Sequence, residues 1–361
     1  MLRTRLFVAI LLACTGCSSG SATQTTTPTR QSAEPAAGHA GYEVHEWGLL
    51  RAGAGDVLSV STLASPPRVR MEVLTVDKPV LYFHVDAPLT LRSVRVATPG
   101  GSILETWPYV SGSNVAIWEN VRLAHEDGCT PSPLPESNEM PCASLAPEVI
   151  CESPGLDITR TTDAASVRVG SATERFLFYR AEARTYTPPL RFTRRADGEI
   201  DVSNEGDAAI PGVIVRILQN EGHVQAWMTN ASAPHATSVL GRSLTSDSED
   251  EADRPVAADQ PALIEVEAGR DGIRRSMTEL GLTSTEIDAF MRAWDATLFG
   301  ASGAVDGLSG QGDAAPTETV LYFLPPTSLD GIATLTFDPA PRAVHRALAL
   351  WTALPRQGSS R

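Results

Sequence analysis

Lys78-Pro79-Val80-Leu81-Tyr82-Phe83-His84-Val85 decides how the chain is read. It is β-branched and aromatic, and Pro79 and Pro88 bracket it, which is the signature of a strand. Working outward, Leu89 to Ala97 alternates Arg and Val up to a Thr98-Pro99-Gly100-Gly101 turn, and Ile103 to Tyr109 follows as a further strand. Ser166 to Val169, Arg175 to Ala181 and Leu190 to Thr193 continue the series. Val213 to Leu218, the turn Asn220-Glu221-Gly222 and His223 to Met228 read as a hairpin. Short strands separated by Gly/Pro turns favour a mainly β, antiparallel sandwich-like fold. Val80-Leu81-Tyr82-Phe83, Phe176-Leu177-Phe178-Tyr179 and Val320-Leu321-Tyr322-Phe323 look alike. Three buried strands of shared composition explain this better than a duplication.

Helical signals are confined to one region. Asp271 to Leu280 reads as a short helix ended by Gly281. Thr283-Ser284-Thr285-Glu286 has the form of a capping box, which satisfies the free N–H groups at a helix start. Ile287, Phe290, Met291, Trp294 and Leu298 then make one apolar stripe, as core packing requires. Thr319 to Leu324 and Ile332 to Phe337 are the strands after this two-helix insertion. Arg342 to Leu354 is ambiguous: its Ala/Leu content suits a helix, its alternation a strand.

The amino-terminal segment reads as an export signal. Arg3 and Arg5 precede an apolar run, Leu6 to Ala13, that is too short to span a bilayer. Ala13-Cys14-Thr15-Gly16-Cys17-Ser18 resembles the lipobox of bacterial lipoproteins. That resemblance implies acylation at Cys17, with Cys14 the alternative, and Ser18 implies onward transfer to the outer membrane. The expected organisation is a signal peptide over 1–17, a Ser/Thr/Pro-rich tether over 18–40 and a mainly β domain over 41–245 with a Cys-containing loop at 126–160. An acidic linker over 246–262 and a helical pair with the final strands over 263–355 complete it. The acidic run Asp247 to Asp253 lacks the ligand spacing of a calcium loop.

The net charge is -14 and Lys78 is the only lysine, so nucleic acid is a poor partner. The expected partners are a membrane, reached through the lipid anchor, and an envelope protein or glycan. Cys129, Cys142 and Cys151 lie in one Pro/Ser/Glu-rich loop. In an oxidising compartment two of them pair, and all three pairings remain open.

Val44-His45-Glu46-Trp47-Gly48 opens the ordered body. It is followed by Pro79 to Phe83, Thr98 to Gly100, Glu105 to Pro108 and Phe176 to Arg180. In combination these segments resemble a group of secreted bacterial proteins and lipoproteins that carry the same pentapeptide near the amino terminus. The group has no assigned activity, so the resemblance implies export and no mechanism. The chain differs from it at Leu49-Leu50, where Thr-Phe is expected.

Chemistry has few footholds. The pair His45-Glu46 is not a zincin motif, because Leu49 stands where the second His belongs. On a strand, His45 shares a face with Glu43 and Trp47, while Glu46 shares one with Val44. A two-His-one-carboxylate metal site would join His45 to His84, with Glu105 or His125 as third group and Glu46 as base. Gly307-Leu308-Ser309-Gly310-Gln311 falls short of a serine-hydrolase elbow. Glu105, Glu119 and Glu126 flank Trp107 and Trp118, and Trp107, Tyr109 and Trp118 would serve a carbohydrate-contacting surface. No cofactor motif is present. The first expectation is a non-catalytic envelope lipoprotein acting as a binding or structural module. The metal-dependent hydrolase and the carbohydrate-contacting module are the alternatives.

Overall fold

The computed structural model describes residues 40–52, 74–125, 131–132, 156–183, 186–195, 199–220, 223–230, 232–241, 263–300 and 318–354. His39–Arg361 form one compact unit. Cys14, Cys17, Cys129, Cys142, Cys151, the segment 246–262, Glu126 and Gly307 to Gln311 lie outside the described residues, as do the proposed signal peptide and nearly all of the tether.

The first strands are β1 (Ala40–Ala52), β2 (Leu74–Val85), β3 (Leu89–Ala97), β4 (Ser102–Trp107) and β5 (Val115–Ala124). After a 3-10 turn (Asp157–Thr161) come β6 (Ser166–Val169), β7 (Ala172–Glu174), β8 (Leu177–Ala183), β9 (Leu190–Arg194) and β10 (Ile200–Asn204). Next are β11 (Val213–Asn220), β12 (His223–Asn230), β13 (Thr237–Val239) and β14 (Leu263–Ile264). The chain then runs through α1 (Val266–Glu279), α2 (Ser284–Phe299), β15 (Glu318–Phe323), α3 (Pro326–Leu329), β16 (Thr334–Asp338) and β17 (Pro341–Ala353).

The fold is mainly β. A nine-stranded sheet in the order β14-β12-β11-β15-β17-β1-β2-β8-β4 forms its centre. A five-stranded sheet, β16-β3-β5-β6-β7, and a three-stranded sheet, β13-β10-β9, accompany it. Among the described residues every strand pair is antiparallel except β1 with β17, whose pairing sets His45 beside His345 and Glu46 beside Arg346. Strands from both sides of the acidic segment therefore share one sheet.

The large sheet separates two cores. On one face, Tyr42, Val44, Leu81, Phe83, Leu348 and Leu350 pack with Leu91, Val94 and Trp118 of the five-stranded sheet and Phe192 and Val202 of the three-stranded one. On the other, Trp47, Val80, Tyr82, Ala347 and Ala349 pack with Ile273 and Met277 of α1 and Ile287, Phe290 and Trp294 of α2. The three similar tetrapeptides fall in or beside β2, β8 and β15 of this sheet. They are apolar at successive positions because both faces are buried, for example Leu81 and Phe83 on one face, Val80 and Tyr82 on the other. The same burial explains the ambiguous segment Arg342 to Leu354, which is strand up to Ala353: Leu348 and Leu350 fill the sandwich side, and the small Ala347 and Ala349 lie under the helices.

The capping box is formed. Thr283 accepts from the Glu286 N–H, and the Glu286 carboxylate accepts from the Thr283 N–H at 2.8 Å. Helix α1 starts five residues before the expected Asp271, at Val266. Gly269 and Gly272 weaken its helical signal. Both are buried, and a Cβ on Gly272 would stand 2.6 Å from Met228 Sδ and 3.1 Å from Val213, so close packing on the sheet accounts for the glycine. Helix α2 docks through Phe290, edge-on to Trp47 at 5.6 Å and 6.4 Å from Phe323 between ring centroids. Phe290→Ala is expected to remove about 3–5 kcal/mol of stability, read as a lowered urea midpoint with an unchanged m-value.

Candidate metal centre

The register of three central strands builds one polar cluster on the helix-covered face. In β1, alternation sends Glu43, His45, Trp47 and Leu49 to that face. Antiparallel pairing puts His84 of β2 opposite Glu43, and parallel pairing puts His345 of β17 opposite His45. Cross-strand partners share a face, so all four side chains converge. The His45 ring centroid lies 4.3 Å from that of His84 and 4.9 Å from that of His345. Helix α2 closes the cluster with Glu286 from its first turn.

The Glu286 side chain is fully buried. Its Oε2 accepts from Thr283 N and from His45 Nδ1, each at 2.8 Å, and its Oε1 accepts from His84 Nε2 at 2.9 Å. Burial pushes its pKa up, but the hydrogen bonds from His45 and His84 outweigh this and hold it at about 2. It is therefore a carboxylate at ordinary pH and acts only as an acceptor. For His84, burial pulls the pKa down, while the bond and charge of Glu286 and the charges of Asp163 and Glu43 carry it above the usual imidazole value.

That bond assigns the His45 tautomer: Nδ1 carries the hydrogen, which leaves Nε2 of the neutral ring with its lone pair. His45 is only 4% exposed, and its Nε2 has no hydrogen-bond partner. A buried polar atom without a partner is costly unless something else meets it. What faces it is Glu43 Oε2, at 3.9 Å, and His345 Nε2 lies at the same distance from that oxygen. Glu43 is steadied by Arg342, whose Nε donates to Oε1 at 2.9 Å and holds the Glu43 pKa below the usual carboxylate range. Gly281, in the α1–α2 turn, lets this turn lie against the third imidazole. Its φ is +92°, and a Cβ there would come within 2.2 Å of His345 Nδ1.

Two overlapping triads have metal-ligand composition, Glu43–His45–His345 and His45–His84–Glu286. Spacing separates them. Zinc–nitrogen bonds of 2.0–2.1 Å put tetrahedral ligands about 3.4 Å apart. The second triad sits at 2.8 and 2.9 Å, with hydrogens between its atoms. The first has gaps of 3.9 Å from Glu43 Oε2 to each of the two imidazole nitrogens, too long for hydrogen bonds and nearer to ligand spacing. Glu43 and His345 are partly exposed, so an ion can enter and keep a solvent-facing position.

Other expected site residues go elsewhere. His45 and His84 meet, but neither Glu105 nor His125 is the third group. Glu105 pairs with Arg180 through contacts of 3.0 and 3.1 Å, and His125 Nε2 bonds Val85 O at 3.0 Å. Glu46 is not a base for this cluster. It lies on the opposite face, where it takes bonds from Arg346 Nε at 2.5 Å and Tyr179 Oη at 2.7 Å. The carbohydrate surface is not assembled either. Trp118 is wholly in the core and donates to Pro108 O, while Trp107 donates to buried Glu174, which leaves Tyr109 as the exposed ring of the three. The sequence reading took Glu286 as a cap only and missed His345. The pair Val344-His345, which lies beside Val44-His45 in the sheet, was the available signal.

No protein-family model matches the chain, and no curated protein matches it, so the functional reading rests on this geometry. The Glu46–Arg346 pair gives a test that separates structure from chemistry. Glu46→Ala leaves buried Arg346 without its main counter-charge and is expected to cost about 3–5 kcal/mol. Chemical denaturation should show this loss with zinc present or absent alike.

Proposed function

We propose that this chain is an exported, lipid-anchored envelope protein that binds one divalent transition-metal ion through Glu43 Oε2, His45 Nε2 and His345 Nε2. The observation that carries the reading is the buried His45 Nε2, which has no hydrogen-bond partner while Nδ1 is held by Glu286. Two imidazoles and one carboxylate suit zinc and its neighbours better than calcium or magnesium, which prefer all-oxygen shells. His45 and His345 stand on the first and last strands of the body, so the ion would tie those strands together. This makes the protein a binding module. Hydrolysis through Glu46 loses its base, since Glu46 lies behind the sheet in an ion pair.

Elemental analysis after zinc loading of the purified full chain should give about one equivalent per chain, with loss in His45→Ala and His345→Ala. At free zinc 100-fold above Kd, linkage should add about 2.7 kcal/mol of stability in the wild type and none in those variants. Substoichiometric metal after loading would sink the proposal.

Export and anchoring rest on Arg3, Arg5, the Leu6 to Ala13 run and the cysteines Cys14 and Cys17. Kinship with the secreted group that shares Val44 to Gly48 belongs to the same reading. An anchor with at least two acyl chains holds a protein on a membrane stably. The double variant Cys14→Ser/Cys17→Ser should move the protein from the membrane pellet to the soluble fraction; continued sedimentation with membranes would count against the anchor.

A further inference from the structure

We infer that Glu286 is the positioning residue of the metal centre: it touches no ion, but it fixes His45 as the tautomer able to bind one. This rests on the metal reading above and adds the group that makes the site competent. A neutral imidazole has two tautomers, and His45 can ligate through Nε2 only in the one protonated at Nδ1. Glu286 selects that form, because an ionised carboxylate 2.8 Å from Nδ1 accepts a hydrogen bond and cannot donate one. Metal-bound histidines are commonly held in this way, through the other ring nitrogen, by a carboxylate.

The carboxylate is itself held rigidly. Thr283 N fixes Oε2 and His84 Nε2 fixes Oε1, so Glu286 has three donors on two oxygens. His84 is therefore an orienting donor and not a ligand. The same carboxylate also completes the α2 capping box. One residue thus joins helix docking to the direction of the His45 lone pair.

Glu286→Leu tests this role. Glutamine would not, because its amide oxygen in the place of Oε2 could still accept from both Thr283 N and His45 Nδ1. A leucine offers Nδ1 no acceptor, so nothing holds the hydrogen there rather than at Nε2, the form that cannot ligate there. Thr283→Ala is the structural control, since it removes the hydroxyl half of the cap and leaves both Glu286–His contacts. Two readouts apply to the full chain. The first is long-range proton–nitrogen NMR of the His45 ring in metal-free protein, at a pH where the ring is neutral. The second is zinc affinity by competition with a chelator.

The wild type should show the Nδ1–H tautomer. Glu286→Leu should lose it, with zinc affinity falling ten- to a hundred-fold. Thr283→Ala should keep the tautomer, because both Glu286–His contacts remain. An Nε2–H tautomer in the wild type would overturn the inference, even if Glu286→Leu failed to fold. Wild-type zinc affinity in a folded Glu286→Leu would overturn this role alone. A wild type that binds no zinc would overturn the metal reading and this role with it.

Discussion

The parallel pairing of β1 with β17 is the constraint on which both the sheet and the site depend. It joins the first and last strands of the body at the middle of a nine-stranded sheet, with β2 on one side and β15 on the other. Its register runs in phase, so His45 meets His345 and Glu46 meets Arg346. A strand presents alternate residues to opposite faces, and one slip of register would exchange them. The pairing therefore produces two polar constructions one residue apart. On the helix side lies a histidine cluster that opens toward solvent. On the sandwich side lies a closed ion pair, where Arg346 also donates to Ala333 O at 2.8 Å and Tyr179 completes Glu46.

These two constructions assign a task to each residue of Val44-His45-Glu46-Trp47-Gly48. Val44 enters the sandwich core and Trp47 the helix-side core. His45 supplies the cluster, and Glu46 neutralises the buried guanidinium behind it. Gly48 lets β2 approach, since a Cβ there would lie 3.0 Å from Pro79 Cα and 3.1 Å from a Leu348 methyl. Adjacent polar residues in the sequence thus need not share a site. His45-Glu46 reads as a catalytic pair only when strand alternation is ignored.

Much of the fold was legible because its signals are local. The strand patterns, the β11–β12 hairpin, the capping box and the α2 stripe depend on neighbours within a few positions. Elements that depend on distant partners were harder. Pro341–Ala353 reads ambiguously because a central strand buried on both faces loses its polar alternation, and Ala and Leu then resemble a helix. The start of α1 was hidden by Gly269 and Gly272, which weaken a helix locally; Gly272 is needed for the close approach to Val213 of β11 and Met228 of β12. At the site, the meeting of His45 with His84 was accessible because β1 and β2 are neighbours. His345 and Glu286 were not, being 300 and 241 positions from His45. Trp107 and Trp118 show the reverse case: an indole near carboxylates suggests sugar stacking, but both N–H groups are spent on internal acceptors.

Glu286 is where local and distant demands meet. As the third residue of α2 it meets the helical need for an acceptor at the Thr283 N–H, and a negative charge there also suits the helix dipole. Either need would be met by an exposed carboxylate. Complete burial of this one demands more, because an ionised group removed from water needs donors on all sides. His45 and His84 supply them, and so the helix start can dock only where two imidazoles already stand. Direction follows from the same bonds: with Nδ1 engaged, the second nitrogen of His45 has to point away from α2, toward Glu43 and His345. A capping residue that satisfied the helix alone would leave the His45 ring free to turn, and the unpartnered Nε2 would have no reason to remain buried.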